Sequence, residues 1–337
     1  MKDSLNIKAS LELFPEQIKK SFTEALNSNI AEFRPKAIVI SGMGGSSNAA
    51  KMLEGIYEED FRVPLDIDIH NDYDLPSWVD KETLVIVNSY SGNTEETLSG
   101  VESAKKVGAR IIAITTGGKL KDMIEAGEIS GCVVSHKDTN PSGFPKSGLG
   151  VSLGALAGVL VKVGIINLSF ETLDKALEEL TQIRKSWDAQ NMAKILNGGI
   201  PVLFGGRPFI GALNAGRNAI CEIGRVFTLF FDFPEVNHVM IEATQKPEFV
   251  KRDLKYLFFE SRQIHERVTL RFQITKKIFK EQGLFYSSYP LKGSTVLSQA
   301  LELAHYCAWI GYYLSSLSGD DPGPEPWILK LKEELSK

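Results

Sequence analysis

Three hydroxyl side chains surround one glycine in a short polar segment of the chain. Ser89, Ser91 and Thr94 lie around Gly92, after an apolar run and before a segment with helical spacing. Hydroxyl groups and the free N–H groups at a helix N-terminus can together bind a phosphate monoester without a metal. A plain helix cap needs only one hydroxyl. The spacing therefore favours a phosphate ligand over a cap.

A glycine-rich turn lies earlier in the chain, between another apolar run and another helical segment. The turn, Gly42-Met43-Gly44-Gly45-Ser46-Ser47, would let the backbone approach an anion closely. A dinucleotide fingerprint requires glycine where Ser47 stands, although Asp66 or Asp68 could supply its downstream acid. A nucleotide site, a phosphate site and a turn needed only for packing all remain open at this point.

Apolar runs that alternate with helical segments must position these two turns. Strands are predicted at 37–42, 62–70, 83–92, 109–118 and 131–136, and helices at 14–34, 46–59 and 94–108. Strands that alternate with helices indicate parallel β-α-β units in a doubly wound sheet. Turns after neighbouring strands of such a sheet line one crevice, so we expect both turns to face one ligand.

The same order of strand, glycine-rich turn and helix starts again after Asn197-Gly198-Gly199. The second series predicts strands at 201–206, 226–234, 254–261 and near 284–286, and helices at 210–224, 262–282 and 293–317. This weak repeat predicts two related α/β domains. We expect a first domain at 1–160, a helical connection at 161–197, and a second domain with a helical tail at 198–337.

Composition and residue spacing argue against several other classes of protein. The 38 basic and 42 acidic residues give a net charge of −4, without the basic bias of a nucleic-acid binder. We see no secretory or membrane-spanning segment, so no membrane partner is expected. Cys132, Cys221 and Cys307 are far apart, which predicts a reducing cytoplasm rather than disulfides or zinc. No metal and no cofactor are expected, and His70, His136, His265 and His305 show no metal-ligand spacing.

Several segments resemble the sugar isomerase (SIS) domain, in particular the bifunctional phosphoglucose/phosphomannose isomerases of archaea and bacteria. In the first half the similar segments are GMGGSS (42–47), NDYDLPSW (71–78) and SYSGNTEET (89–97). In the second half they are NAICE (218–222), PEVNH (234–238) and the tail DDPGPEPWILKLKEEL (320–335). The resemblance covers the chain nearly end to end and implies two SIS domains in tandem, each with a mostly parallel sheet.

The resemblance implies a metal-free isomerase that interconverts glucose 6-phosphate, and mannose 6-phosphate, with fructose 6-phosphate through a cis-enediolate. It implies that the 6-phosphate is bound by Gly44, Gly45, Ser46, Ser89, Ser91 and Thr94, with Lys146 in place of the family's arginine. Glu222 would be the base, and His238, from the partner subunit of a homodimer, would assist ring opening. Lys332, or else Lys330, would stabilise developing oxygen charge.

Other interpretations remain open from the residues alone. Glu222 could form a surface ion pair with Arg225, and His238 could be a structural histidine. A non-catalytic sugar-phosphate sensor would not need Glu222, His238 and a tail lysine together, and a dinucleotide-dependent dehydrogenase is a third class.

Three positions depart from the family's pattern. Lys146 lacks the bidentate fork of arginine, Ser47 replaces a common glycine, and Gly323 stands where the tail often has threonine. We expect these departures to affect affinity or substrate choice more than the fold.

Overall fold

The computed structural model describes residues 2–31, 34–57 and 66–335, apart from the side chain of Asp66. Residues 32–33, 58–59 and 62–65 of the predicted helices and strand, like the Asp66 carboxylate, therefore lie outside the described residues. Within the described residues, the chain forms two parallel β-sheets with helices packed against them. This is the architecture that the repeated order of strand, turn and helix predicts.

Five parallel strands form the first sheet, in the order β2-β1-β3-β4-β5. They are β1 (Ala37–Gly42), β2 (Asp66–His70), β3 (Thr83–Ser89), β4 (Arg110–Thr115) and β5 (Ser130–Val133). Helices α3 (Gly44–Tyr57), α4 (Glu95–Val107) and α5 (Gly118–Glu125) follow β1, β3 and β4. The chain leaves β1 and β3 in opposite directions across the sheet, so a crevice opens between their carboxyl ends.

Four parallel strands form the second sheet, in the order β7-β6-β8-β9. They are β6 (Ile200–Gly206), β7 (Leu229–Phe233), β8 (Leu254–Glu260) and β9 (Tyr286–Pro290). Helices α9 (Ile210–Gly224), α12 (Glu266–Glu281) and α13 (Val296–Ser318) follow β6, β8 and β9. Two short helices, α10 (Val236–Val239) and α11 (Phe249–Asp253), lie between β7 and β8. The order of the first four strands is thus the same in both sheets.

The remaining helices precede the first sheet, connect the two sheets or end the described chain. They are α1 (Ile7–Glu12), α2 (Phe14–Leu26), α6 (Leu149–Lys162), α7 (Phe170–Arg184), α8 (Ala189–Leu196) and α14 (Pro326–Leu335). Helix α2 packs on α6, and α9 packs on both α3 and α13, so one apolar core extends between the sheets. The α3–α9 contact is close, because a Cβ at Gly211 would lie 2.1 Å from the Lys51 carbonyl oxygen. Helix α9 thereby reaches the turns of the first unit.

Most observed elements agree with the predicted ones, and the differences lie at their ends and in the short helices α1, α10 and α11, which are not predicted. The bounds of β1 and α9 agree with the predictions, whereas α2 ends at Leu26. Strand β3 ends at Ser89, because the N–H of Gly92 turns back to donate to the Ser89 carbonyl at 3.2 Å. Helix α6 continues past residue 160, and the proposed domain division remains a prediction. No helix among the described residues has the length and apolar character needed to span a membrane.

Candidate active site

The two predicted ligand turns contact each other at the carboxyl edge of the first sheet. The backbone N–H of Tyr90 donates to Ser46 Oγ at 3.2 Å, and Asn88 Nδ2 donates to the Ser46 carbonyl at 3.0 Å. Gly44 opens α3 with a left-handed φ of 51°, a conformation that glycine adopts without strain. The strand order thus brings the glycine-rich turn and the hydroxyl turn to one place.

The hydroxyl turn is organised by bonds among its own groups. Ser89 Oγ lies 2.9 Å from Thr94 Oγ1 and accepts from the N–H of Gly92 at 3.2 Å. Ser91 Oγ accepts from the N–H of Asn93 at 3.3 Å. Thr94 is the N-cap of α4, yet within the described chain its side chain makes no capping bond. This geometry leaves hydroxyls and helix N–H groups together and argues against a plain cap.

Glycine is the residue type that fits at position 92 of this turn. Its φ is 69°, and a Cβ would lie 1.8 Å from the carbonyl oxygen of Gly117. The missing side chain lets the turn lie directly against the residues that follow β4. The glycine therefore fixes where the three hydroxyls stand.

Lys146 enters the site from a short 3-10 turn, Pro145–Ser147, just before α6. The loop that carries it is tied to the hydroxyl turn, because Asn140 Nδ2 donates to the Tyr90 hydroxyl at 2.7 Å. The Lys146 side chain is only 1% exposed, and its ammonium donates to the Gly323 carbonyl at 2.7 Å. Burial lowers the pKa of Lys146, and the nearby carboxylates of Glu325 and Glu222 oppose that effect.

Glu222 lies near the end of α9, facing the same cavity as Lys146. Its side chain is partly exposed to solvent. Burial of the rest is nevertheless the largest of the effects that raise the pKa of Glu222 from 4.5 to about 7. The negative charge of Glu325 raises the pKa of Glu222 further, while Lys146 and Arg217 lower it. A carboxylate with such a pKa can take and return a proton near neutral pH.

The alternative surface ion pair of Glu222 is not observed among the described residues. Arg225 ends α9 in the left-handed conformation, with a φ of 54°. Its guanidinium instead donates to the carbonyl of Pro324 at 2.5 Å. Glu222 therefore remains facing the cavity rather than a surface arginine.

The cavity joins the two units of the fold. Its polar lining comes from Gly45 and Asn48 on α3, from Lys146 and Ser147 on the 3-10 turn, from Asn218 and Glu222 on α9, and from His305 on α13. Gly45 of the glycine-rich turn, a buried cation and a carboxylate with a raised pKa thus share one cavity, an arrangement suited to proton transfer on an anionic substrate. The other predicted phosphate residues are not among the described residues that line this cavity; they are Gly44, Ser46, Ser89, Ser91 and Thr94.

His305 is a cavity residue to which the sequence analysis gives no role. Burial lowers its pKa to about 3, so the imidazole is neutral. Its Nε2 lies 2.8 Å from the Leu11 carbonyl and 3.0 Å from Trp309 Nε1, and among the described residues Nδ1 has no partner. Only its place within an apolar helical segment could have marked it, since no motif surrounds it.

The structure of one chain does not bring the other two predicted catalytic residues to this cavity. His238 is exposed on α10, and Lys332 and Lys330 are exposed on α14. Of the described residues that line the cavity, none is a histidine of α10 or a lysine of α14. Their catalytic roles stay predictions.

Comparison with known proteins places the chain in a family. Residues 33–120 match the SIS domain, and residues 185–335 match the bacterial phospho-glucose isomerase C-terminal SIS domain. The bifunctional phosphoglucose/phosphomannose isomerase of Caldicellulosiruptor bescii is 32% identical over 96% of this chain and 97% of its own length. The chain belongs to the bifunctional phosphoglucose/phosphomannose isomerase family.

Other members and solved structures agree with this assignment. The bifunctional phosphoglucose/phosphomannose isomerase of Aquifex aeolicus is 34% identical over 90% of this chain and 91% of its own length. The crystal structure of tagatose-6-phosphate ketose/aldose isomerase from Escherichia coli matches with a TM-score of 0.72 at 13% identity, covering 95% of this chain and 97% of that one. At that identity the structural match shows the fold alone, and it is the two family models that give two SIS domains in one chain.

Proposed function

We propose that this protein is an aldose–ketose isomerase that interconverts glucose 6-phosphate and fructose 6-phosphate, and also accepts mannose 6-phosphate. The observation that carries the proposal is Glu222, a carboxyl with a pKa of about 7 in a cavity shared with Gly45 and Lys146. The relatives' names, given above, describe the same pair of activities.

The proposed reaction moves one proton between neighbouring carbons. The 6-phosphate binds Gly44, Gly45, Ser46, Ser89, Ser91 and Thr94, with Lys146 nearby, and this anchors the opened sugar chain. The Glu222 carboxylate removes the proton from C2 of the aldose, and the carbonyl at C1 becomes the second oxygen of a cis-enediolate. Glu222 then returns that proton to C1. The C2 hydroxyl gives up its proton as the carbonyl forms at C2, and the C1 oxygen takes up a proton to become a hydroxyl, so the ketose is produced without net gain or loss of protons or electrons.

We further propose that the active form is a homodimer in which His238 of one protomer serves the Glu222 cavity of the other. Two features support this arrangement: His238 is exposed, and the adjacent Val239 is 62% exposed despite its apolar side chain. Lys332, with Lys330 as the alternative, would stabilise developing negative charge on the substrate. A cytoplasmic location belongs to the same proposal and rests on the cysteine spacing.

A coupled assay with glucose 6-phosphate and mannose 6-phosphate tests the activity. We expect turnover of both sugars, unchanged by EDTA, since the proposed proton transfer uses a carboxylate base. Binding of fructose 6-phosphate without turnover of either aldose would instead indicate the non-catalytic sensor. A thermal shift with NAD and none with fructose 6-phosphate would indicate a dehydrogenase.

A further inference from the structure

A second carboxylate, Glu325, lies beside the cavity and is held by its buried cation. Glu325 Oε1 is 3.3 Å from Lys146 Nζ, and the two side chains are 12% and 1% exposed. None of the roles that the sequence pattern implies falls on Glu325. An ion pair so far from solvent is only weakly screened, so its charges act strongly on neighbouring groups.

The tail segment that carries Glu325 is fixed to the rest of the fold on several sides. Lys146 donates to the carbonyl of Gly323 at 2.7 Å, and Arg225 donates to that of Pro324 at 2.5 Å. Asp321 accepts from the N–H of Ser4 at 3.3 Å. These contacts place Glu325 next to Lys146 without relying on the ion pair alone.

The charges around Glu222 come from several elements. Lys146 lies on the 3-10 turn, Arg217 and Arg225 lie on or at the end of α9, and Glu325 lies on the tail. Helix α3 adds Lys51, which interacts with Arg217, and α13 contributes His305, which is neutral. Glu325 is the anion in this set besides Glu222 itself.

Lys146 thus has two carboxylates with which it could pair. Glu325 takes that position in the structure through the ion pair, and both carboxylates interact electrostatically with Lys146. If Lys146 turned fully to Glu222, the direct pair would stabilise the ionised form of Glu222 and weaken it as a base.

We propose that Glu325 is a positioning residue that keeps Lys146 engaged, so that Glu222 stays basic enough for proton transfer. The inference rests on the proposed role of Glu222 as the base. Glu325 acts through Lys146 and through its own negative charge, without touching the reacting carbons. The electrostatics agree with this, because Glu325 raises and Lys146 lowers the pKa of Glu222.

Replacing Glu325 with glutamine tests this inference, because Glu325→Gln removes the charge and keeps the size. We expect the acid limb of kcat/KM to move to lower pH by about one unit, because the positive charge of Lys146 then acts on Glu222 without the opposing charge of Glu325. The rate on the alkaline plateau should fall several-fold, because the base is weaker. Glu325→Asp should restore much of both values, since the carboxylate remains.

A matched control separates this effect from a general change in charge. Glu178 is exposed on α7 and does not line the cavity, so Glu178→Gln should leave the pH profile unchanged. A lower rate for Glu325→Gln at every pH, with the acid limb unmoved, would mean that Glu325 only holds the tail in place. That result would overturn the inference.

A direct titration of Glu222 separates this inference from the proposed function. Carbon-13 NMR of glutamate-labelled protein, with Glu222→Gln used to assign the signal, follows the carboxyl without needing turnover. We expect the Glu222 midpoint to fall in Glu325→Gln, and an unchanged midpoint would overturn the positioning role. Absence of isomerase activity in the unsubstituted protein would instead overturn the proposed function, while the titration would still be interpretable.

Discussion

The raised pKa of Glu222 has one consequence for the proposed catalysis and another for the stability of the fold. Its burial raises the pKa from 4.5 to about 7, because the charged carboxylate loses water that it would keep in the unfolded chain. The same shift makes the group an effective base near neutral pH and a destabilising one in its ionised form. These two consequences can be measured separately.

The pH dependence of isomerisation reports the first consequence. Glu222 must be ionised to accept a proton, so kcat/KM should rise with pH through a midpoint near its pKa of about 7. Steady-state rates with fructose 6-phosphate from about pH 5 to pH 9 would measure that midpoint. A rate that stays flat down to pH 5 would contradict a base with a raised pKa.

Unfolding experiments report the second consequence. The folded-state pKa of Glu222 lies above the ordinary value of 4.5, so stability falls as pH rises from 4.5 to about 7 and then levels off. Glu222→Gln should therefore be more stable than the unsubstituted protein by about 1–3 kcal/mol above pH 7, after allowance for partial exposure. The difference should disappear below pH 4.5, and urea unfolding at the two pH values would measure it. Equal stability at pH 8 would argue against a desolvated carboxylate.

At the scale of the element, the turn after β3 depends on a glycine whose surroundings leave no room for a side chain. Gly92 and Gly108 have nearly the same positive φ, 69° and 72°, but only Gly92 has a neighbour that a Cβ would strike. Gly108→Ala should cost about 1 kcal/mol, the strain of a left-handed alanine. Gly92→Ala should cost clearly more and should weaken fructose 6-phosphate binding. Urea unfolding and calorimetric titration would compare the two variants, and equal effects would contradict a packed turn.

The hydroxyls of the same turn should contribute mainly to substrate binding. A hydrogen bond to a charged phosphate contributes about 1.5–3 kcal/mol, so Ser89→Ala should raise KM by roughly 10- to 100-fold. The effect on kcat should be smaller, because the phosphate is far from the reacting carbons. Ser103→Ala is a suitable control, because Ser103 lies on α4 away from the hydroxyl turn. Its hydroxyl donates to the Asp74 carboxylate at 3.0 Å. Similar KM values for both variants would place the phosphate elsewhere.

Local patterns in the sequence predict the parts of the site that depend on local geometry. Strand β1, helix α9 and the contact between the two turns follow from apolar spacing and from the order of parallel strands. His305 and Glu325 could not be found in this way. Their importance comes from contacts such as the one between Lys146 and Glu325, which are distant in sequence and meet only because the tail returns to the cavity.

The ends of the strands show the same limit of prediction from local sequence patterns. The prediction runs the third strand over 83–92, into the polar Ser/Gly turn, whereas the structure ends β3 at Ser89. The hydrogen bond from Gly92 to Ser89 decides the end. The strand propensity of the residues makes several end points possible, and the backbone hydrogen bonds of the turn select one of them.

At the scale of the whole molecule, a large apolar surface is exposed on the tail. Helix α14 has no buried residue, and Trp327, Leu329 and Leu331 are 77%, 55% and 59% exposed. Apolar surface concentrated on one helix is typical of a binding surface for another protein. It supports the proposed homodimer, in which His238 would serve the neighbouring cavity.

Mixing two inactive variants tests that exchange. If His238 acts across the interface, a hybrid of Glu222→Gln and His238→Ala protomers has one complete site. Refolding equal amounts together should then restore about a quarter of the unsubstituted activity, because half of the dimers are hybrids with one of two sites intact. Each variant alone should remain inactive. No recovery in a mixture shown to contain hybrid dimers would mean that each protomer uses its own His238.

The most direct test of Glu222 as the base combines turnover and binding in one variant. For Glu222→Gln we expect a loss of roughly 10²- to 10⁴-fold in kcat, the usual contribution of a general base, for both glucose 6-phosphate and mannose 6-phosphate. Fructose 6-phosphate should bind with little change in Kd, because the phosphate turns are intact. Turnover of Glu222→Gln close to that of the unsubstituted protein would show that another group moves the proton.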